Sequence, residues 1–114
     1  MKLTFNNLPK ISNNKFYAGM HWAERKKIKD NFAKTVYALL CVQTDRRKFE
    51  RPCEVEYIFE FKSRPLDCSN AIGMVKMLED VLFPDDGYKI VKKISVTSLL
   101  SVEDKVTVII KEIE

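Results

Sequence analysis

Two stretches of this chain repeat their apolar residues at the spacing of an α-helix, and β-rich stretches lie before, between and after them. From His21 to Val42, Trp22, Ile28, Phe32, Val36, Leu39 and Leu40 recur at roughly 3.6 residues. From Asp67 to Leu82 the apolar face is Ala71, Met74, Val75, Leu78 and Leu82, with Asp67 or Ser69 placed to cap its start. Val55 to Phe61, Ile90 to Leu100 and Lys105 to Ile113 are β-branched or aromatic and read as strands, and Met1 to Leu8 alternates loosely enough to be a fourth. Pro9 to Met20, Asp45 to Pro52, Pro84-Asp85-Asp86-Gly87 and Ser101 to Asp104 carry the turn residues between them. The order is β-α-β-α-β-β, an α+β chain. A mixed sheet of about four strands with two helices on one face buries every apolar stripe.

With 114 residues, 46% of them hydrophobic, there is material for one core, so residues 1–114 are expected to form a single domain. No run of 18 apolar residues is long enough to span a membrane. Met1 to Pro9 lacks the basic and apolar regions of a secretory leader, and a cytosolic protein is expected. Cys41, Cys53 and Cys68 form no CxxC pair and His21 is the sole histidine, which argues against structural zinc and for three reduced, mostly buried thiols.

The net charge of +4 is unevenly spread. Residues 1–51 hold 12 Lys/Arg against 4 Asp/Glu, and residues 52–114 hold 8 against 12. A basic half suggests a polyanionic partner, and an acidic half can hold a divalent cation. The basic half concentrates Asn14, Lys15, Tyr17, His21, Trp22, Arg25, Lys26, Lys27 and Lys29 in one block, with Arg46, Arg47 and Lys48 as a second cluster. Lysine and arginine neutralise phosphates and release counterions, and Tyr17 or His21 offers a face to an unstacked base. Trp22 opens the apolar stripe and is expected in the core. His21 has the ordinary reading of a structural hydrogen-bonding group.

The acidic half concentrates its polar residues between Arg64 and Asp86. On a helix over 67–82, Asn70, Gly73, Lys76 and Asp80 fall opposite the apolar stripe, with Lys76 and Asp80 as neighbours four apart. Asp67 stands at the helix start, and Asp85 and Asp86 on the turn after its end. Carboxylates around one lysine suit phosphodiester hydrolysis: magnesium takes hard oxygen ligands, and an ammonium stabilises charge on the phosphate. Gly73 on that face would allow close approach. The plainer reading is an N-cap at Asp67, a surface ion pair at Lys76–Asp80 and a tight turn at Asp85-Asp86-Gly87.

The stretch DCSN-(5)-K-(2)-ED-(4)-DD resembles the RusA-like Holliday-junction resolvases, the crossover-junction endodeoxyribonucleases. A second match lies upstream, where SNNKFYAGMHWAERKKIKD resembles that family's N-terminal loop and first helix. Together the two blocks and their connections cover roughly residues 8–96. The resemblance implies a metal-dependent endonuclease that resolves four-way junctions or other branched DNA in recombination and repair. It implies magnesium, or manganese, which accepts the same oxygens. Asp67, Asp80 and Asp86 would bind the metal with Asp85 assisting, and Lys76 would act on the phosphate. Asn14, Lys15, Tyr17, His21, Arg25, Lys26, Lys27 and Asn70 would contact DNA. A four-way junction needs two symmetric cuts, which implies a homodimer. Ser69 stands where many members have a second Asp, and the loop before Asp85 is short. Both motivate the alternative of a non-catalytic branched-DNA-binding module of the same fold. A small protein-interaction domain is the third reading.

Overall fold

The computed structural model describes residues 1–84 and 87–113, with the side chains of Lys15 and Tyr17 outside that description. Seven elements follow one another: β1 (Lys2–Asn6), α1 (Asn13–Tyr17), α2 (Trp22–Cys41), β2 (Cys53–Phe61), α3 (Cys68–Leu82), β3 (Val91–Leu100) and β4 (Lys105–Glu112). The two long helices and four strands are those that the periodicities predict. The addition is α1, a single turn inside the expected loop that begins with Phe16 N–H donating to Ser12 O. Five residues are too few to carry a helical period, so no pattern marked it.

The four strands form one sheet in the order β1-β4-β2-β3. β2 and β3 run parallel and are joined through α3, while β4 lies antiparallel to both β2 and β1. Strand side chains alternate across the sheet. Cys53, Val55, Tyr57, Phe59 and Phe61 of β2 are therefore buried, while Glu54, Glu56, Ile58 and Glu60 lie on the open face. Register puts Val55, Tyr57 and Phe59 opposite Ile110, Val108 and Val106, all buried. Leu3 and Phe5 of β1 complete that face, and the helices cover it. Each such large apolar side chain contributes about 1.5–3 kcal/mol by leaving water.

α2 meets this core through Phe32, Val36 and Leu40, which sit four residues apart, with Ile28 and Leu39 partly buried at the margins. Trp22, expected in the core, is instead 66% exposed. Angle is not the reason, since eighteen residues at 100° bring Trp22 back to the side of Leu40; Trp22 is the first residue of α2, and the buried residues of that helix begin only at Phe32. α3 is buried on almost every side, nine of its fifteen residues having little contact with solvent. It packs against the sheet, α2 and α1 together. That leaves Ser69, Lys76 and Asp80 as an outward line, with Cys68 exposed at the helix start. The thiols are all free; only Cys53 is buried, Cys41 is half-buried and Cys68 is exposed, so the expectation of mostly buried thiols holds for one of the three. No helix among the described residues is long and apolar enough to cross a membrane.

Candidate nucleic-acid interface and carboxylate site

The chain enters the site region from β2. After Phe61 the backbone turns through Arg64, whose φ of +48° is a left-handed conformation unusual for a residue with a Cβ. Lys10, from the segment after β1, fastens this turn from outside: its Nζ donates to Ser63 O at 2.9 Å and to Arg64 O at 3.0 Å. The same segment then forms α1 and lies against α3. A Cβ built on Gly73 would stand 3.2 Å from Asn13 Oδ1 and 3.5 Å from Asn13 Cα. Gly73 thus gives close approach to α1 rather than to a substrate, a correction to the sequence reading of its role.

Asp67 takes the N-cap position of α3 with extended backbone, and its carbonyl accepts from Asn70 N–H and Ala71 N–H. Its side chain makes no capping hydrogen bond, although an N-cap aspartate ordinarily accepts from the first turn. The carboxylate is exposed at the α3 start, with Ser69 exposed and Asn70 half-buried one turn on. Ser98 Oγ donates to Leu66 O, and Cys68 Sγ lies 3.4 Å from Val96 O, so β3 braces the residues that flank Asp67.

Asp80 stands near the other end of the helix. Thirteen residues at 1.5 Å each separate it from Asp67 by about 20 Å. Its Oδ2 lies 3.9 Å from Lys29 Nζ of α2, both side chains about half exposed, and its carbonyl accepts from Lys48 Nζ at 3.1 Å. The i,i+4 pair with Lys76 expected from spacing does not form: Asp80 turns to α2, while Lys76 lines a shallow groove beside Ile72, Val75 and β3. Glu79 is buried. Asp85 and Asp86 lie outside the described residues.

Magnesium ligands stand about 2.1 Å from the ion, so two carboxylates some 20 Å apart do not share one. The proposed set of Asp67 and Asp80 therefore does not fit a single ion within one chain. Among the described residues no three His, Cys, Asp or Glu side chains cluster as a metal site.

The basic block is placed more coherently. His21 is the N-cap of α2, its Nδ1 accepting from Ala23 N–H at 3.2 Å, which is the structural use expected of a lone histidine. Beyond it Lys26, Lys27 and Lys29 are exposed and Arg25 half-buried along the first turns. Lys26 is tied to Asp30 at 2.9 Å, whereas no ion pair among the described residues holds Arg25, Lys27 or Lys34. Asn14 is exposed on α1. In the second cluster Arg46 is committed to Glu112 at 2.7 Å and packs its guanidinium 4.4 Å from the Phe49 ring centroid. Glu112 is held below the usual carboxylate range, first by the hydrogen bond from Arg46.

Sequence reasoning missed Asn13 and Lys10, which shape the site by contacts 60 and 53 or 54 residues away. It misplaced Trp22, for which a signal existed: the residues three, four and seven positions on are Arg25, Lys26 and Lys29, so its helix face is cationic. Comparison with protein-family models and with curated proteins found no match to this chain.

Proposed function

We propose that this chain is a magnesium-dependent endodeoxyribonuclease acting on branched DNA, holding the strand along α1 and α2 and cutting it beside the start of α3. The observation that carries this reading is the meeting of its two sequence blocks. The Asn- and Lys-rich block and the aspartate block lie some fifty residues apart, yet α1 packs onto α3 through Asn13 and Gly73. A strand held on α1 would therefore run beside α3 at Gly73, about 9 Å along the helix from Asp67, whose carboxylate its own helix leaves unused. Magnesium, if bound, would polarise the phosphoryl oxygen and help to make hydroxide from water. Asp67 would supply one carboxylate oxygen to the ion, and Asn70 and Asn14 would offer amide contacts to the strand. Asp80, from its position, acts on the Lys29 side of the surface rather than at the same ion. Two symmetric cuts in a junction call for a two-fold homodimer.

The separation of Asp67 from Asp80 favours a second reading, a module that binds branched DNA without cutting it. Incubation with a synthetic four-way junction and a matched linear duplex, with magnesium or with chelator, separates the two. Paired nicks that require magnesium, appear in the junction alone and vanish in Asp67→Asn are the expected result. Asp80→Asn should reduce cutting less than Asp67→Asn does. Junction binding without nicks in magnesium or manganese selects the binding module, and undiminished cutting by Asp67→Asn removes the assigned carboxylate.

A further inference from the structure

We infer that Trp22 is a stacking platform for an unpaired nucleobase, with the cations of its own helix face taking the adjoining phosphates. This inference rests on the DNA reading above and names what that surface recognises. Trp22 is a large apolar ring left 66% exposed at the start of a helix whose buried aromatic, Phe32, is fully enclosed. It lies in a cleft of about 330 Å³ whose floor is Phe16 and whose wall is Arg25, Lys26 and Lys29. Asp30 is in the same cleft, but Lys26 holds its carboxylate at 2.9 Å, so it does not repel a phosphate unopposed. His21 stands beside the indole with ring centroids 5.6 Å apart and planes tilted by 31°, and most of the Trp22 side chain still faces solvent.

The occupant is set by this pairing of chemistries. A purely anionic partner would use the cations and leave the indole in water. An apolar peptide would use the indole and bury the cations unpaired. A single strand offers both: a π-face that stacks on any aromatic, and a phosphate on each side of it. Paired bases in a linear duplex are already stacked on each other, so the platform favours the open bases of a branch over duplex. The same reasoning separates the cleft from the carboxylate site, because stacking needs no metal and no cutting.

Trp22 is the single tryptophan of the chain, so indole emission reports on this residue alone. The protein, in chelator and low salt, is titrated with oligothymidylate, with a linear duplex of matched charge and with inorganic polyphosphate, while a labelled strand reports binding by anisotropy. Oligothymidylate should quench the emission, and polyphosphate should displace the labelled strand without quenching. Trp22→Ala should weaken strand binding on the order of 10-fold, leave polyphosphate binding unchanged and be largely rescued by Trp22→Phe. Salt-sensitive strand binding with undiminished emission, or with equal affinity in Trp22→Ala, overturns the platform and leaves the DNA reading standing. Failure to bind any nucleic acid overturns both.

Discussion

At the scale of single residues, the least comfortable group in the core is the Tyr57 hydroxyl. Tyr57 is fully buried in the middle of β2, and among the described residues its Oη has no hydrogen-bond partner. Burial, then the nearby Glu79 charge, pushes its ionisation well up, so the group stays a neutral phenol at any ordinary pH. An unsatisfied buried hydroxyl costs about 1–3 kcal/mol, and removing it without changing shape recovers part of that. Tyr57→Phe should therefore raise the urea midpoint by an amount equivalent to about 1 kcal/mol with the same denaturant slope. A lower midpoint would mean that the hydroxyl is hydrogen-bonded in solution. The aromatic character of position 57 was legible in the β-rich run around it, but the missing partner was not, because satisfaction is a property of neighbours across the core. Trp22 adds a second case: its helical angle puts it on the side of Leu40, and its exposure follows from its place at the start of α2, ahead of the first buried residue Phe32, which no period reveals.

At the scale of elements, period carried the reading and tertiary contact decided the rest. Phe32, Val36 and Leu40, or Val55, Tyr57 and Phe59, repeat at intervals that only one secondary structure turns to a common side. The segments between them obey no period, and their structure comes from anchors distant in sequence. The turn after α2 is an example: Arg46 and Arg51 reach Glu112 at the end of β4, at 2.7 and 3.6 Å. Glu112 has its ionisation lowered in the folded chain, chiefly by Arg46, so the contact stabilises when the carboxylate is charged. A depressed folded value gives stability that is present above the unfolded carboxylate pKa of about 4.3 and is lost as pH falls through the folded one. Both partners are solvated, so the effect is small and best read at the residue. In a carboxyl-carbon NMR titration the Glu112 midpoint should lie below that of an isolated glutamate and return upward in Arg46→Met. An identical midpoint in the two proteins would show that the pair does not persist in solution.

At the scale of the whole molecule, the sequence divides into a basic half and an acidic half, but the fold does not keep them apart. α3, from the acidic half, is packed against α1 and α2 from the basic half, and Lys29 stands opposite Asp80 across that boundary. This is why the candidate carboxylates were individually legible while their grouping was not: spacing along one helix gives angle and rise, and thirteen residues set Asp67 and Asp80 at opposite ends of α3. Proximity to the cations of α2 also means that a polyanion on this surface passes over negative charge at Asp80 and Asp30, and must gain most from Arg25, Lys27 and Lys34, which no ion pair among the described residues holds, together with Lys29. If about four of these contact phosphates, the observed association constant falls with a log–log salt slope of about −3.6, which amounts to a loss on the order of 100-fold between 50 and 200 mM salt. Replacing Arg25 and Lys27 by Gln should lower that slope by about 2 without changing preference between two junctions of different sequence, because phosphate contacts position a strand and carry no sequence information of their own. An anisotropy titration across four salt concentrations measures the slope directly. A flat salt dependence would detach the basic helix from nucleic acid altogether. An unchanged slope in the double substitution would move the contact surface off the first turns of α2, towards Lys34 and the Arg47–Lys48 turn.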